Sequence, residues 1–330
     1  AQATAIGSNC VFSLSTVLHR RGESMTSAEA TREPLEACTS ARGGAAAQAD
    51  FLARRGVVCE SKFATAPDGY ILHYITCGSP KHLALVFTHG SAGNCCSWWQ
   101  NLPLFAEQSL FCIAIDLRFF GSSAPITPAL LQGFRGGATH AQDLIAILDA
   151  EGVDQAVIFC QSMSGCAGVH AAAAFPGRVA GLAMCCTNRG IERDDEDQRL
   201  SDVALFRPAL QWPEEFPMKG LHPKFQEERP DMVNLFLEVR SFNSGVPSEV
   251  EQACRDNPVA LDRVAQLDIP MLMLSAEFDW FFSRAMLSRS AQHCRNCTFV
   301  SCHGHGHSVY FEDPDLFHTT AMEWMRGAGI

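Results

Sequence analysis

The stretch "FCQSMSGCAG", Phe159 to Gly168, sets Ser162 at a strand-to-helix corner. A serine in that place is either a nucleophile on a tight turn or a helix N-cap. The first reading needs a base and an acid from elsewhere in the chain, because a hydroxyl attacks poorly until a neighbour takes its proton. A second cluster, "CRNCTFVSCHGHGH", holds Cys294 and Cys297 at two-residue spacing, then Cys302, His303, His305 and His307. Those residue types could ligate zinc. "TFVSC" within the cluster reads as a buried strand, whose alternation sends successive side chains to opposite faces and scatters the ligands. No metal is therefore expected.

The elements that must position these residues alternate in type. "CESKFATAPDGYILHYITCG" reads as two strands around a turn at Pro67-Asp68-Gly69. "LALVFTHG", "FCIAIDLR", "QAVIFCQS", "VAGLAMCCTN", "PMLMLSA" and "CTFVSCHG" are short apolar runs of the kind that form buried strands. "HAQDLIAILDAEGV" has helical spacing, with Leu144, Ile147 and Leu148 on one face and Gly152 as its stop. Buried strands alternating with helices predict a mostly parallel sheet covered on both faces. The rhythm breaks over 191–266, where prolines, charge runs and amphipathic pieces such as "PDMVNLFLEVRSF" predict a helical cap over the carboxyl ends of the strands. The expected organisation is an N-terminal extension over 1–55, loosely ordered with a short helix near Ala46 to Arg54, a core over 56–190, the cap over 191–266, and the rest of the core over 267–330.

Composition bounds the partners. The 330 residues are 47% hydrophobic and 18% charged, with a net charge of −11 and no long Lys/Arg cluster. Nucleic acid and anionic membrane surfaces, which demand clustered positive charge, are excluded as expected partners. No apolar run reaches spanning length, so a soluble protein is expected. Several of the 15 cysteines sit inside apolar runs, where a thiol behaves as a small hydrophobe. With an odd count and no spaced framework, they favour the cytoplasm or another reducing compartment. The Ser, Thr, Ala and Arg content of the N-terminal extension admits organellar targeting, against which Glu23, Glu29, Glu33 and Glu36 stand.

The strand "AVIFC", then Gln161-Ser162-Met163-Ser164-Gly165, then an Ala-rich helix resembles the nucleophile elbow of the α/β-hydrolase superfamily, G-x-S-x-G, with Cys160 and Ser164 in place of the flanking glycines. Thr88-His89-Gly90-Ser91, directly after "LALVF", resembles that fold's oxyanion loop. Asp116-Leu117-Arg118-Phe119-Phe120-Gly121-Ser122-Ser123 is similar to its D-x-R-G-x-G-x-S loop, with Phe119 where glycine is usual. Glu277-Phe278-Asp279 and Gly304-His305-Gly306-His307-Ser308 follow in the places of the family's acid and histidine, in the order Ser, Asp, His.

The resemblance implies an α/β-hydrolase fold with a helical cap. It implies Ser162 as nucleophile, His307 as base and Asp279 as the acid that orients it, with the amides of Ser91 and Met163 as the oxyanion hole. Glu277, His305 and Ser164 are the competitors for these roles. Asp116 and Arg118 are expected to tie loops together behind the site. Trp98, Phe119, Phe120 and Trp280 are expected to line the pocket, Phe281 and Phe282 equally to line it or fill the core. A small apolar or aromatic acyl compound is the expected substrate, and no cofactor is expected.

The implied activity is cleavage of a carboxylic ester or related acyl bond through an acyl-enzyme. Epoxide hydrolases of this fold use a carboxylate nucleophile, which a serine at 162 disfavours. A carbon–carbon bond hydrolase with the same triad, or a ligand-sensing or partner-binding protein with weak catalysis, are the alternatives; the altered elbow favours the sensor. Oligomeric state is not legible.

Overall fold

The computed structural model describes residues 59–330 apart from residue 217. The N-terminal extension and its short helix lie outside the described residues.

Eight strands form one sheet: β1 (Cys59–Thr65), β2 (Ile71–Cys77), β3 (Ala84–Thr88), β4 (Phe111–Ile115), β5 (Ala156–Gln161), β6 (Val179–Cys185), β7 (Met271–Phe278) and β8 (Cys297–Gly306). Their order across the sheet is β1-β2-β4-β3-β5-β6-β7-β8. β2 pairs antiparallel with β4, and every pairing from β4 through to β8 is parallel. Each apolar run read from the sequence became one of these strands. β3, β4 and β5 bury every residue, as strands covered on both faces must. The helix Gly137–Ala150 buries Leu144, Ile147 and Leu148, the face its spacing predicts.

β3 lies between β4 and β5, so the chain winds outward in both directions from it. Loops leaving neighbouring strands at such a switch point diverge and open a crevice at the carboxyl edge of the sheet. The loop holding His89-Gly90-Ser91 leaves β3 there. Ser162 leaves β5 one strand away, with Thr88 opposite Cys160 in the register.

Between β6 and β7 run six short helices: Asp195–Leu200, Val203–Phe206, Pro223–Glu228, Pro230–Ser241, Ser248–Asp256 and Leu261–Ala265. Besides a 3-10 turn, the β content of this interval among the described residues is one isolated bridge, Ile191 to Val259. Pro230–Ser241 turns Met232, Phe236 and Val239 inward, the amphipathic face legible in "PDMVNLFLEVRSF".

The cysteines fall into two groups. Cys59 and Cys77 are disulfide-bonded, while Cys112, Cys160, Cys185 and Cys186 are buried free thiols. The two bonded residues belong to strands flanking the Pro67-Asp68-Gly69 turn rather than to the buried parallel core. The cysteine pattern therefore ceases to argue for a reducing compartment. No helix among the described residues is long and apolar enough to cross a membrane.

Candidate active site

The corner after β5 is strained. Gln161 is still extended, and Ser162 then takes φ +53°. A non-glycine residue in the left-handed region costs about 1–3 kcal/mol, a price met only where the surroundings over-determine it. Two features do so here. Cys160, in the place of the motif's first glycine, is accommodated because Gly168 faces it: a Cβ on Gly168 would lie 2.5 Å from the Cys160 Sγ. Ser164, in the place of the second glycine, is fully buried. Its hydroxyl lies 3.0 Å from the Thr88 and Gln161 carbonyls and 2.8 Å from the Thr88 hydroxyl. The competing serine is thus a tie between β3 and the corner.

The loop after β3 is held against that corner. A Cβ on Gly90 would stand 2.0 Å from Gln161 Oε1 and 2.9 Å from Ser162 Cβ, so only glycine fits. His89 accepts from the Leu117 amide at Nε2, 3.1 Å, which leaves Nδ1–H to donate to the Gly90 carbonyl at 2.8 Å. Burial pushes the His89 ring down to about 4, so it acts as a neutral brace at ordinary pH. From the far side, Arg240 Nη1 donates to the Ser91 carbonyl at 2.9 Å, and Asn243 Nδ2 lies 3.0 and 2.8 Å from the Ala92 and Gly93 carbonyls. The inserted helix Pro230–Ser241 and the turn after it therefore clamp this loop. The Ser91 amide itself has no acceptor among the described residues. Met163, in the first turn after Ser162, has the unspent N–H of any helix start.

Asp116 sits behind this loop, accepting from the Cys95 amide at 2.6 Å, the Ser122 amide at 2.7 Å and His73 Nδ1 at 2.8 Å. Arg118 reaches away from the corner and bridges Asp68 and Asp143.

Opposite Ser162 stands a second pair. His307 Nδ1 lies 2.9 Å from Asp279 Oδ2. A carboxylate only accepts, so Nδ1 carries the hydrogen and Nε2 keeps its lone pair. The other oxygen, Oδ1, accepts from the amides of Phe281 at 2.7 Å and Phe282 at 3.0 Å. Phe282 stacks on the imidazole with an interplanar angle of 8°. Glu277 instead accepts from the Gly304 amide at 2.9 Å, and His305 hydrogen-bonds the His303 carbonyl. Ser162 and His307 line one cavity of about 710 Å³.

A family model for the α/β-hydrolase fold matches residues 84–314, from β3 to the start of the last helix. The chain belongs to this family. Among curated relatives of this α/β-hydrolase, the 3-oxoadipate enol-lactonase 2 of Acinetobacter baylyi is 26% identical over 49% of this chain and 58% of its own length. The bifunctional epoxide hydrolase 2 of Mus musculus is 26% identical over 38% of this chain and 22% of its own. The chain thus spans less than two thirds of the length of either. Among solved structures, a thermophilic esterase from Thermogutta terrifontis superposes with a TM-score of 0.66 at 21% identity, covering 82% of this chain and 99% of that one.

The walls of this α/β-hydrolase's cavity correct the sequence reading of its aromatics. Trp98 is fully buried among Phe87, Tyr310 and Phe317. Phe119 packs edge-on to Tyr70 and Phe134, and Phe120 against His89. None of the three lines the cavity, because each turns from its loop into the core. Trp280 lines a separate hollow of about 460 Å³ with Trp212 and Arg207. Phe281 and Phe282 do line the cavity, joined by Phe236 and Phe311. Sequence reasoning missed its charge: Arg189, Arg193, Arg207, Lys219, Arg240 and Arg255 face it against one carboxylate, Glu251. The signal was faint, since the six are spread over 67 positions of an acidic chain.

Glu312 braces the histidine loop, accepting from the Gly306 amide at 3.0 Å and the His222 amide at 3.0 Å. Burial pushes its carboxyl up to about 7 from an ordinary 4.5. The folded chain then holds a proton that the unfolded chain releases, so stability falls as pH rises from about 4.5 to about 7 and levels off above. In Glu312→Gln this slope should disappear. Urea titrations at pH 5 and pH 7.5 measure it, and an unchanged difference between the two would refute the assignment.

Proposed function

We propose that the protein is a serine hydrolase of carboxylic esters or related acyl bonds, working through an acyl-enzyme. The observation that carries this reading is the Asp279–His307 hydrogen bond on the wall of the same cavity that Ser162 enters from a strained corner. In this reading His307 Nε2 takes the Ser162 proton as Oγ bonds to the acyl carbon. The proton passes to the leaving oxygen as the acyl–oxygen bond breaks. Water, activated by the same imidazole, then releases the acid and regenerates the serine. Charge on the tetrahedral oxygen is met by the amides of Ser91 and Met163, each worth about 3 kcal/mol in a site closed to water.

The substrate is a small acyl compound whose apolar part meets Phe236, Phe281, Phe282 and Phe311. The family's enol-lactonase and esterase members support ester or lactone cleavage by their names. A fluorophosphonate probe should label the protein promptly and fail to label Ser162→Ala. No labelling of the folded wild type would remove the enzyme reading and leave a ligand sensor on the same scaffold.

A further inference from the structure

The cations in the cavity are short of partners. Arg189 has a buried Nε with no hydrogen-bond acceptor among the described residues, and its guanidinium lies over the Phe282 ring. Among the described residues Arg193 hydrogen-bonds only the neutral Asn188 side chain, at 2.8 Å. Arg207 and Arg240 donate to backbone carbonyls, of Trp280 and Ser91. Of these cations, among the described residues, Arg255 alone pairs with a carboxylate, Glu251, four residues away on its own helix. Withdrawing part of a guanidinium from water without an anion is unfavourable. Burial pulls Arg189 and Arg193 below their ordinary values, helped by repulsion from Arg255 on Arg189 and from Arg189 and Arg255 on Arg193, which falls to about 10. A chain of net charge −11 that gathers six cations around one hollow pays this cost where an incoming group can offset it.

We infer that Arg189 and Arg193, with Arg255 beside them, form a subsite for a free carboxylate on the substrate, so that the acyl compound cleaved is a half-ester or lactone of a dicarboxylic acid. Planar guanidinium forks match carboxylate geometry, often through two parallel hydrogen bonds. The subsite adjoins the reacting centre, because Phe282 carries Arg189 against one side of its ring and stacks on His307. Arg189 comes from the segment after β6 and Arg255 from the inserted helix Ser248–Asp256, so the subsite spans core and insertion. Its position selects substrates that carry a carboxylate a short way from the scissile carbonyl.

The kinetic part of this inference rests on the hydrolase reading; its binding part does not. Two p-nitrophenyl esters of equal chain length, the half-ester of glutaric acid and the neutral valerate, separate them. Wild type should show the higher kcat/KM for the half-ester, and added salt should erode that preference. In Arg189→Met and in Arg193→Met, made separately, the ratio of the two kcat/KM values should fall at least about 30-fold. Glutarate should raise the melting temperature of Ser162→Ala and fail to do so once either arginine is removed. Both arginine variants should melt no lower than wild type without ligand, since each loses a half-buried charge that no carboxylate among the described residues pairs. Glutarate stabilisation with neither ester cleaved would keep the subsite and sink the hydrolase. A preference for the valerate, glutarate stabilisation that survives both substitutions, or stabilisation by inorganic phosphate in place of glutarate would each overturn the carboxylate assignment.

Discussion

Replacing Asp279 by asparagine should lower kcat about ten-thousand-fold while leaving the fold intact. The geometry dictates why. Oδ1 of Asp279 accepts from two backbone amides, Phe281 and Phe282, and both keep donating after substitution. The asparagine carbonyl must take that place, so its NH₂ group faces His307 Nδ1. Two donors cannot share a hydrogen bond, and the imidazole shifts its hydrogen to Nε2. A ring protonated at Nε2 has no lone pair to take the Ser162 proton. Nothing changes in volume, and the melting temperature should stay within a few degrees of wild type. Turnover of a chromogenic short-chain ester, measured beside a circular-dichroism melt, checks both halves. A variant that keeps a tenth or more of wild-type turnover would remove Asp279 from the mechanism.

Gly90→Ala should cost about 100-fold or more in kcat, the scale of losing one preset donor. The new methyl would fall 2.0 Å from Gln161 Oε1 and 2.9 Å from Ser162 Cβ. Gln161 ends a fully buried strand and Ser162 is fixed in the turn that follows it, so neither has much room to yield. The loop must retreat instead, and the Ser91 amide retreats with it. Overpacking of this kind costs about 1–3 kcal/mol of stability as well. Gly133→Ala, where an added Cβ meets nothing within 4 Å, is the matched control. If Gly90→Ala turns over as fast as that control, the loop after β3 does not hold the oxyanion donor.

Local chemistry made the sheet and the corner readable. Runs such as "AVIFCQ" read as strands buried on both faces, and a serine directly after one, ahead of small helix formers, marks a strand-to-helix corner, whether as nucleophile or as N-cap. The choice among neighbours was less accessible. Glu277 and Asp279 lie two apart, and His305 and His307 likewise, so each pair shares a face in a regular strand. The register shift between Ala276 and Phe278 breaks that regularity, and it is in the folded sheet that Asp279 meets His307 while Glu277 turns to Gly304. The aromatics misled for a related reason. Trp98, Phe119 and Phe120 are close in sequence to cavity-lining loops, yet nearness along the chain does not say on which side of a loop a ring falls.

From its residues alone this chain determined its strands, its inserted helices and the order in which serine, acid and histidine reach one edge of the sheet, because periodicity and strand-end loops are properties of adjacent positions. The acid Asp279 was implied by resemblance and meets the imidazole in the folded sheet; what charge the cavity carries was decided by tertiary structure alone. Arg189 and Arg193 follow β6 while Arg255 comes from the inserted helix Ser248–Asp256, and no local pattern encodes their convergence; packing the insertion onto the core brings them to a common wall.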